Sequence, residues 1–219
     1  MNKTEMLRHV MRWEPCGEGA NWCRTFDGDS AEAAWRSCPD PTWLLWAAAH
    51  AGVDKRLLLR VAYNVCLFVV PHMEAYLSRE ECKIYLDVFH AVNNLDGSAE
   101  ALQRVGEALQ RVDEALQRGD GKADAARDHN AARAIVRLGG LVQNEWRGTV
   151  ALGLNTVVTW CAEGVGRAAT SHVASLAAVE AFNSDVLQLI HDNIPWAVVE
   201  EAIKGQGEEG QGEEGRRQG

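Results

Sequence analysis

The sequence predicts an all-α protein: a single helical domain of about eight helices at residues 1–204, followed by a disordered tail at residues 205–219. Three observations support this prediction. Helix-capping residues stand before several apolar stretches, apolar side chains recur three and four positions apart, and the tail has no apolar residue. A chain of 219 residues can bury about 70% of its surface, so its core needs neither disulfides nor a metal.

The first helices are predicted from short local signals. One helical face carries the apolar residues Met6, Leu7, Val10 and Met11. Residues 14–19 contain Pro and two Gly residues, which is typical of a loop. Asp29, with Glu32 three residues later, is predicted to cap a short helix that runs through Trp35.

Stronger boundaries follow between residues 40 and 71. Asp40 and Pro41 predict a helix start, because Asp caps the free amides and Pro loses no needed hydrogen bond in the first turn. That helix is expected to end at Gly52. Asp54 then starts a helix to about Val70, ahead of a proline. The second half of this helix is apolar all round, which predicts central burial, although such a run is also compatible with a buried strand.

The middle of the chain is also predicted to be helical. Ser78 with Glu81 forms a capping box. Residues 98–118 carry apolar residues at the alternating spacing of a helix–helix seam, namely Leu102, Val105, Leu109, Val112 and Leu116. A break at residues 119–121 separates this helix from another at 124–138, which predicts an antiparallel hairpin.

The last third contains one ambiguous segment. Residues 149–158 combine β-branched residues with a glycine, so the pattern fits a strand or a buried helix, and helical neighbours favour the helix. From Ser171 a clean apolar stripe is formed by Leu176, Val179, Phe182, Val186, Leu189 and Ile190. A short final helix carries Trp196, Val199 and Ile203. The tail then repeats a Gly-Gln-Gly-Glu-Glu unit, and nothing in it offsets the entropy of ordering.

The net charge of −9 restricts the choice of partners. Residues 74–204 hold nineteen acidic and twelve basic side chains, so most of the negative charge lies there. An acidic surface repels phosphate backbones, and the sequence therefore predicts no nucleic-acid partner. The longest uncharged stretches fall short of the roughly 18 apolar residues that span a membrane. No signal peptide is visible, so we expect a cytoplasmic protein without a membrane contact.

No pattern in the chain predicts catalysis, a cofactor or a metal. Cys16, Cys23 and Cys38 with His9 could supply four zinc ligands, but their spacing lacks the short knuckle that aims two sulfurs at one ion. No Gly-x-Ser-x-Gly turn or phosphate-binding loop occurs. We therefore expect a non-enzymatic protein with no bound metal or cofactor.

Tryptophans are the unusual feature of the composition. Five of the eight lie within residues 13–46, and Trp43 and Trp46 share one helical face. The pair is interpreted as part of the core, which covers the apolar helix after Asp54. The alternative is an exposed aromatic patch that binds a protein partner.

The tryptophan region resembles a known family. Residues 34–48 read AWRSCPDPTWLLWAA, and residues 52–59 read GVDKRLLL. These segments resemble the immunity proteins of bacterial polymorphic toxin systems, which have relatives in actinobacteria and their phages. The resemblance covers about residues 16–72 and 173–196. Its motif, interpreted as structural, consists of Trp35, Cys38, Trp43, Leu44, Leu45, Trp46 and Asp54.

The resemblance implies a helical protein that binds and blocks a partner protein without catalysis. A basic toxin, for example a nuclease, would be attracted by the acidic segment at 74–204. Two alternatives stay open: a phage-encoded accessory protein that has no toxin partner and works in the host cytoplasm, and an enzyme on a helical scaffold. The sequence predicts neither the partner-binding residues nor the oligomeric state.

Overall fold

The computed structural model describes residues 1–68, 147–167 and 172–214, together with the single residues Lys83, Gln103 and Glu107. Eight helices and no strand occur among these residues, which confirms the predicted all-α fold. In chain order the helices are α1 Lys3–Arg12, α2 Gly17–Thr25, α3 Ala31–Ser37, α4 Pro41–Ala51, α5 Lys55–Leu67, α6 Arg147–Arg167, α7 His172–Asn193 and α8 Trp196–Glu214.

The three N-terminal helices differ from the prediction in two details. Residues 17–19, predicted as loop, open the helix α2, whose first turn is capped by the Cys16 sulfur as it accepts from the Gly19 amide. Helix α3 is capped by Ser30, whose hydroxyl oxygen accepts from the Ala33 amide. The predicted cap, Asp29, is instead held outside the helix, because its carbonyl oxygen accepts from the Lys3 amide.

Helices α4 and α5 begin at the predicted caps, and α4 ends at the predicted glycine; α5 ends at Leu67, short of the predicted end at about Val70. Asp40 Oδ1 accepts from the Thr42 amide at 2.7 Å, and Pro41 occupies the first turn of α4. Gly52 ends α4 with a φ of 85°, a left-handed conformation that other residues rarely adopt. Asp54 caps α5 through the Arg56 amide. Of the described residues in the apolar run, Val65 and Cys66 are fully buried as predicted, whereas Leu67 and Phe68 are 40% and 38% exposed.

The ambiguous segment at 149–158 is helical and lies within α6. Helix α6 packs against α4, α5 and α7, so Val157 and Val158 are covered by neighbouring helices rather than by a sheet. Leu154, Val157 and Val158 are buried there. On α6 the Cys161 thiol hydrogen-bonds the Cys66 sulfur of α5, and both residues are fully buried.

Helix α7 is long and apolar. By length and composition, Val173–Asn193 could cross a membrane, with a mean hydropathy of 1.3. Core helices of soluble proteins pass the same test when they are mostly buried, but only 17% of this stretch is buried, and its buried residues are Phe182, Val186 and Ile190. The first turns differ from the predicted stripe, because Leu176 is 55% exposed. One such helix is weak evidence for a membrane span, and the fold is compatible with a soluble protein.

The C-terminal helix closes the described fold. Helix α8 packs on α3 and α4, and Val199 and Ile203 are buried. The backbone is helical as far as Glu214, beyond the predicted start of the tail at residue 205. The Gln206 side chain donates to the His50 carbonyl at 2.9 Å. The domain boundary at 204 stays a prediction.

Several predicted features lie outside the described residues. These are the stop at Pro71, the Ser78 capping box, most of the seam at 98–118 and the helix at 124–138. Two residues within the seam, Gln103 and Glu107, are described and helical. Gln103 Nε2 donates to Glu107 Oε1 at 2.8 Å, a contact across one helical turn.

Candidate functional site

A cavity of about 320 Å³ lies among α1, α2, α3, α4, α6 and α8. Six tryptophans line it, and we call it the tryptophan cavity; they are Trp13, Trp22, Trp35, Trp43, Trp46 and Trp196. Its volume lies at the lower end of the range for small-molecule sites, about 300–1,000 Å³. The cavity opens to the surface and is therefore reachable without unfolding.

Helix α4 supplies one wall through residues spaced three and four apart. Trp43, Trp46 and His50 occur at this spacing, so they share one face of the helix. The rings of Trp46 and His50 lie 4.5 Å apart between centroids. This ring arrangement is held locally, because His50 Nδ1 donates to the Trp46 carbonyl at 3.0 Å. The wall is thus set by the geometry of a single helix.

Aromatic contacts join this wall to the other helices. Trp22 of α2 lies 6.3 Å from Trp43, and Trp13 meets Trp46 edge-on at 6.1 Å. Trp35 of α3 and Trp196 of α8, which also line the cavity, are 6.2 Å apart. These separations fall in the range of favourable aromatic pairs. The cavity is therefore bounded by rings that support one another.

Helix α2 passes next to α4 at Gly19. A Cβ atom on Gly19 would stand 3.4 Å from the Cys16 sulfur and 3.5 Å from Cδ2 of Trp43, which are ordinary contact distances. The backbone of α2 therefore leaves room for one methyl group beside the indole of Trp43.

The lining is electrically neutral. Among the described residues that line the cavity there is no Asp, Glu, Lys or Arg. Its histidines are His9 and His50, and burial together with Arg12 and Arg8 lowers the pKa of His9. A neutral imidazole is thus favoured at His9 near neutral pH. Such a lining suits an uncharged ligand, because a desolvated ion would have no counter-charge.

The three cysteines proposed as zinc candidates also line the cavity, but they differ in exposure. Cys16 is exposed, Cys23 half-buried and Cys38 buried. Burial raises the pKa of Cys38 to about 12, and the Cys38 thiol donates to the Asp40 carbonyl at 3.5 Å. In the described part of the chain, no three His, Cys, Asp or Glu side chains form a group suited to a metal. The absence of a bound metal stays a prediction.

Two buried polar atoms of lining residues have no hydrogen-bond partner. They are the indole Nε1 of Trp35, a residue only 6% exposed, and Oδ1 of Asn155 on α6. An unpaired buried polar atom costs about 1–3 kcal/mol. Native structures hold few such atoms, so two among the residues around one cavity are unusual.

A second recess of about 290 Å³ lies beside the first. Trp35 and Trp196 belong to both, and the smaller recess is completed by Arg36, His191 and Pro195. His191 Nε2 donates to the Trp35 carbonyl at 3.1 Å, which fastens α7 to α3. Asn155 lines the tryptophan cavity and not this smaller recess.

The motif residues predicted from sequence divide between this cavity and the scaffold. Five of the seven line the cavity: Trp35, Cys38, Trp43, Leu44 and Trp46. Leu45 is fully buried in the core, and Asp54 caps α5. Sequence reasoning did not identify Asn155, whose signal is a single amide within the apolar run of α6. It also did not place Trp196 beside the N-terminal tryptophans.

Comparison with known proteins adds no assignment. No protein-family model, no curated protein and no solved structure matches this chain. The cavity and the residues around it are therefore the basis for inferring function.

Proposed function

We propose that this protein is an immunity-type binding protein, which binds a partner protein and blocks it without catalysis. The observation that supports this function is the overlap described above: five of the seven residues that carry the family resemblance line the tryptophan cavity. The part of the chain that resembles the family therefore builds a recess for an apolar group.

The proposed mechanism is occlusion, with one apolar side chain of the partner seated in the tryptophan cavity. Binding energy at protein interfaces concentrates in a few anchors that fill desolvated pockets, and tryptophan is enriched among them. A neutral lining accepts such an anchor without a cost for stranded charge. Useful neutralisation of a toxin requires roughly nanomolar affinity, about −12 kcal/mol.

The negative charge of the protein would increase the rate at which it encounters a basic partner. Residues 74–204 carry a net charge of −7, which attracts a basic partner over several ångströms at physiological salt. A basic cytoplasmic toxin such as a nuclease fits both the charge and the expected location. The anchor in the cavity would then set the rate of dissociation.

A growth-rescue assay tests the function directly. Genes that neighbour the gene for this protein are first searched for a toxin gene, and that toxin is expressed in bacteria with and without the full-length protein, so that survival can be compared. Wild-type protein is expected to rescue growth and to form a one-to-one complex with the toxin by calorimetry. Failure of both rescue and complex formation would contradict the immunity role and favour the accessory-protein alternative.

A pair of matched variants tests the role of the cavity. Trp43→Ala removes a half-buried tryptophan that lines it, whereas Trp160→Ala removes a half-buried tryptophan of α6 that does not. With both variants confirmed as folded, we expect toxin affinity to fall at least about 30-fold for Trp43→Ala only, the usual loss at a hot spot. Equal losses would show that the cavity does not hold the anchor.

A further inference from the structure

We infer that helix α2 is a movable lid of the tryptophan cavity, which opens to admit a group into the cavity and closes on that group once it is bound. This inference rests on the proposed function, because the admitted group would be the apolar side chain that the partner supplies. It is supported by three features of α2: the helix buries little apolar surface, its N-terminal end is weakly held, and its C-terminal end is anchored.

Helix α2 gains little stability from burial. Among its nine residues, Gly19 and Ala20 are the buried ones, and both have minimal side chains. Helix α4, another wall of the same cavity, buries six residues, which include Leu44 and Leu45. Since the free energy gained on folding rises with the apolar area buried, α2 is held less firmly than α4. Segments with few buried apolar contacts open at low free energy, and lids are drawn from such segments.

The N-terminal end of α2 is weakly held. Its cap is the Cys16 sulfur, a weak acceptor, which lies 3.4 Å from the Gly19 amide nitrogen. Glycine at positions 17 and 19 further disfavours the helix. Glu14, in the connection from α1, has a φ of 56°, a left-handed conformation that costs free energy for a residue with a Cβ atom. Little free energy is therefore needed to move this end away from the body of the protein.

The C-terminal end of α2 is anchored to α1. Lys3 Nζ donates to the carbonyl of Phe26, the residue that caps α2, and lies 5.9 Å from the centroid of the Phe26 ring. This ring in turn lies over Gly28, where a Cβ atom would collide with it. Of the described side-chain hydrogen bonds, one more joins α2 to another helix: Arg24 Nη2 donates to Met11 Sδ at 3.5 Å. Opening is therefore expected to be a swing of α2 about Phe26.

The position of α2 makes such a swing change access to the cavity. Gly19, Trp22 and Cys23 of α2 line the cavity, and Trp22 reaches across to Trp43 of α4 with 6.3 Å between the ring centroids. Cys38 is a buried residue of the same lining, and Cys23 is near enough to contribute to the raised pKa of its thiol. Movement of α2 away from α4 would thus separate the two indoles and uncover both cysteines.

Thiol labelling of the folded, full-length protein measures the opening. Iodoacetamide is added without denaturant, each cysteine is followed by peptide mass spectrometry, and rates in the urea-unfolded chain correct for intrinsic reactivity. Cys66 and Cys161 are the references, because they are fully buried and do not line the cavity. Cys38 is expected to react at least about tenfold faster than either, since local opening requires less free energy than unfolding of the core. Equal rates for the three thiols would overturn the inference.

Two substitutions separate movement of α2 from passage through a fixed opening. Cys16→Ser replaces the capping sulfur by a stronger acceptor, and Lys3→Ala removes the anchor at Phe26 without changing the lining, since Lys3 does not line the cavity. We expect labelling of Cys38 to slow by about fivefold in the first variant and to accelerate by about fivefold in the second, the effect of one cap or one hydrogen bond.

Arg60→Ala, at an exposed site of α5, is the control for these substitutions and should leave the labelling rate of Cys38 unchanged. Passage through a fixed opening would respond neither to the cap nor to the anchor. An unchanged rate in a folded Cys16→Ser protein would therefore overturn the inference, even where Lys3→Ala does not fold.

Toluene tests whether the lid closes on an apolar group. Its binding to the full-length protein is measured by saturation-transfer NMR, and backbone hydrogen exchange in residues 17–25 is compared with and without it. We expect exchange in α2 to slow at least about threefold, because the bound ring favours the closed position. Failure of toluene to bind, or unchanged exchange on binding, would overturn closure of the lid. Growth rescue by a protein whose α2 does not open would overturn this inference while leaving the immunity function intact, whereas opening without toxin binding would contradict the proposed function alone.

Discussion

Asp54 shows how one side chain fixes a helix boundary. Its carboxylate accepts from the Arg56 amide at 2.8 Å and pairs with the Arg56 guanidinium, and these hydrogen bonds lower the pKa of Asp54. We expect Asp54→Ala to lower the free energy of unfolding by about 1 kcal/mol, the usual loss for a helix cap. Asp54→Asn keeps a capping oxygen and should cost less. Urea melts at neutral pH compare the two.

The same residue predicts a pH dependence with a definite sign. Because the pKa of Asp54 is lower in the folded state, the stabilisation by its charge is present above the ordinary carboxyl pKa and is lost as the pH falls through the lowered value. The advantage of wild type over Asp54→Asn should therefore shrink on acidification. An advantage that stays constant in urea melts from neutral to strongly acidic pH would contradict this explanation.

The tryptophans of the cavity are predicted to differ in their contribution to stability. Trp35 is 6% exposed, whereas Trp43 and Trp46 are half-buried residues that pack against the core. Trp35→Ala should cost about 3–5 kcal/mol, as for a buried aromatic residue, and Trp43→Ala and Trp46→Ala should cost less than that range. Urea melts without a partner measure all three. Wild-type midpoints for the α4 variants would show that these residues contribute nothing to the core.

At the scale of single helices, α2 offers a test of close packing. Gly19 lies inside a helix, where glycine is less favourable than alanine by roughly 0.5–1 kcal/mol. A Cβ there would meet Trp43 at 3.5 Å, which is ordinary contact. We expect Gly19→Ala to raise the free energy of unfolding by about 0.5 kcal/mol in urea melts. A loss of stability would mean that α2 lies closer to α4 than the structure shows.

Two other glycines serve as controls for this substitution. Gly17, in the first turn of α2, has no atom within 4 Å of a built Cβ, so Gly17→Ala should stabilise the helix without touching the cavity. Gly52 has the opposite expectation. Its φ of 85° is strained for any other residue, and Gly52→Ala should destabilise by about 1 kcal/mol or more. Gly17→Ala thus measures helix propensity alone, Gly19→Ala measures propensity together with packing against Trp43, and Gly52→Ala measures backbone strain.

The helices that were predicted correctly are those with local boundary signals. Helices α4 and α5 begin with Asp40 and Asp54, and such caps act over only a few residues. Helix α2 was missed because its first residues, Gly17 and Gly19, are typical of loops, and its cap is an unusual cysteine sulfur. Segment 149–158 was ambiguous because its β-branched residues slightly favour a strand, and the helix packing that overrides this preference is not visible in the segment itself.

The cavity was less predictable than the helices because it is a tertiary feature. The spacing of Trp43 and Trp46 correctly placed them on one face of a helix, but no pattern relates them to Asn155 or Trp196. These residues are brought together by the packing of α6 and α8 on α3 and α4. A polar atom left unpaired by that packing leaves no trace in the local sequence.

At the scale of the whole molecule, helices α3 to α8 contribute to one hydrophobic core that joins the two halves of the chain, and whose members run from Trp35 in α3 to Ile203 in α8. A smaller cluster is formed by Met6 and Val10 of α1 with Ala31 and Ala34 of α3. The N-terminal amine of Met1 pairs with Glu200 of α8 at 2.6 Å, which adds a polar contact between these halves. Helix α8 therefore completes both the core and the tryptophan cavity, for which it supplies Trp196, Val199 and Ile203.

The position of the last buried core residue indicates which C-terminal residues contribute to the stability of the fold. Ile203 is 6% exposed, and the Gln206 side chain donates to the His50 carbonyl. Residues 207–219 contain no apolar side chain that could join the core, although the backbone is helical to Glu214. We expect a protein that ends at Gln206 to melt at the same temperature as the full chain, because a glycine-rich helix without packing is marginal in water.

A substitution at Ile203 provides the comparison for the truncation at Gln206. Ile203→Ala in the full chain should lower the free energy of unfolding by about 2–5 kcal/mol, since it removes a buried side chain, and it should also weaken binding in the tryptophan cavity that Ile203 lines. Thermal melts of both proteins place the end of the packed structure between residues 203 and 207. If truncation at Gln206 lowered the melting temperature by several degrees, the helix beyond it would pack on the body of the protein, and the predicted disordered tail would be wrong.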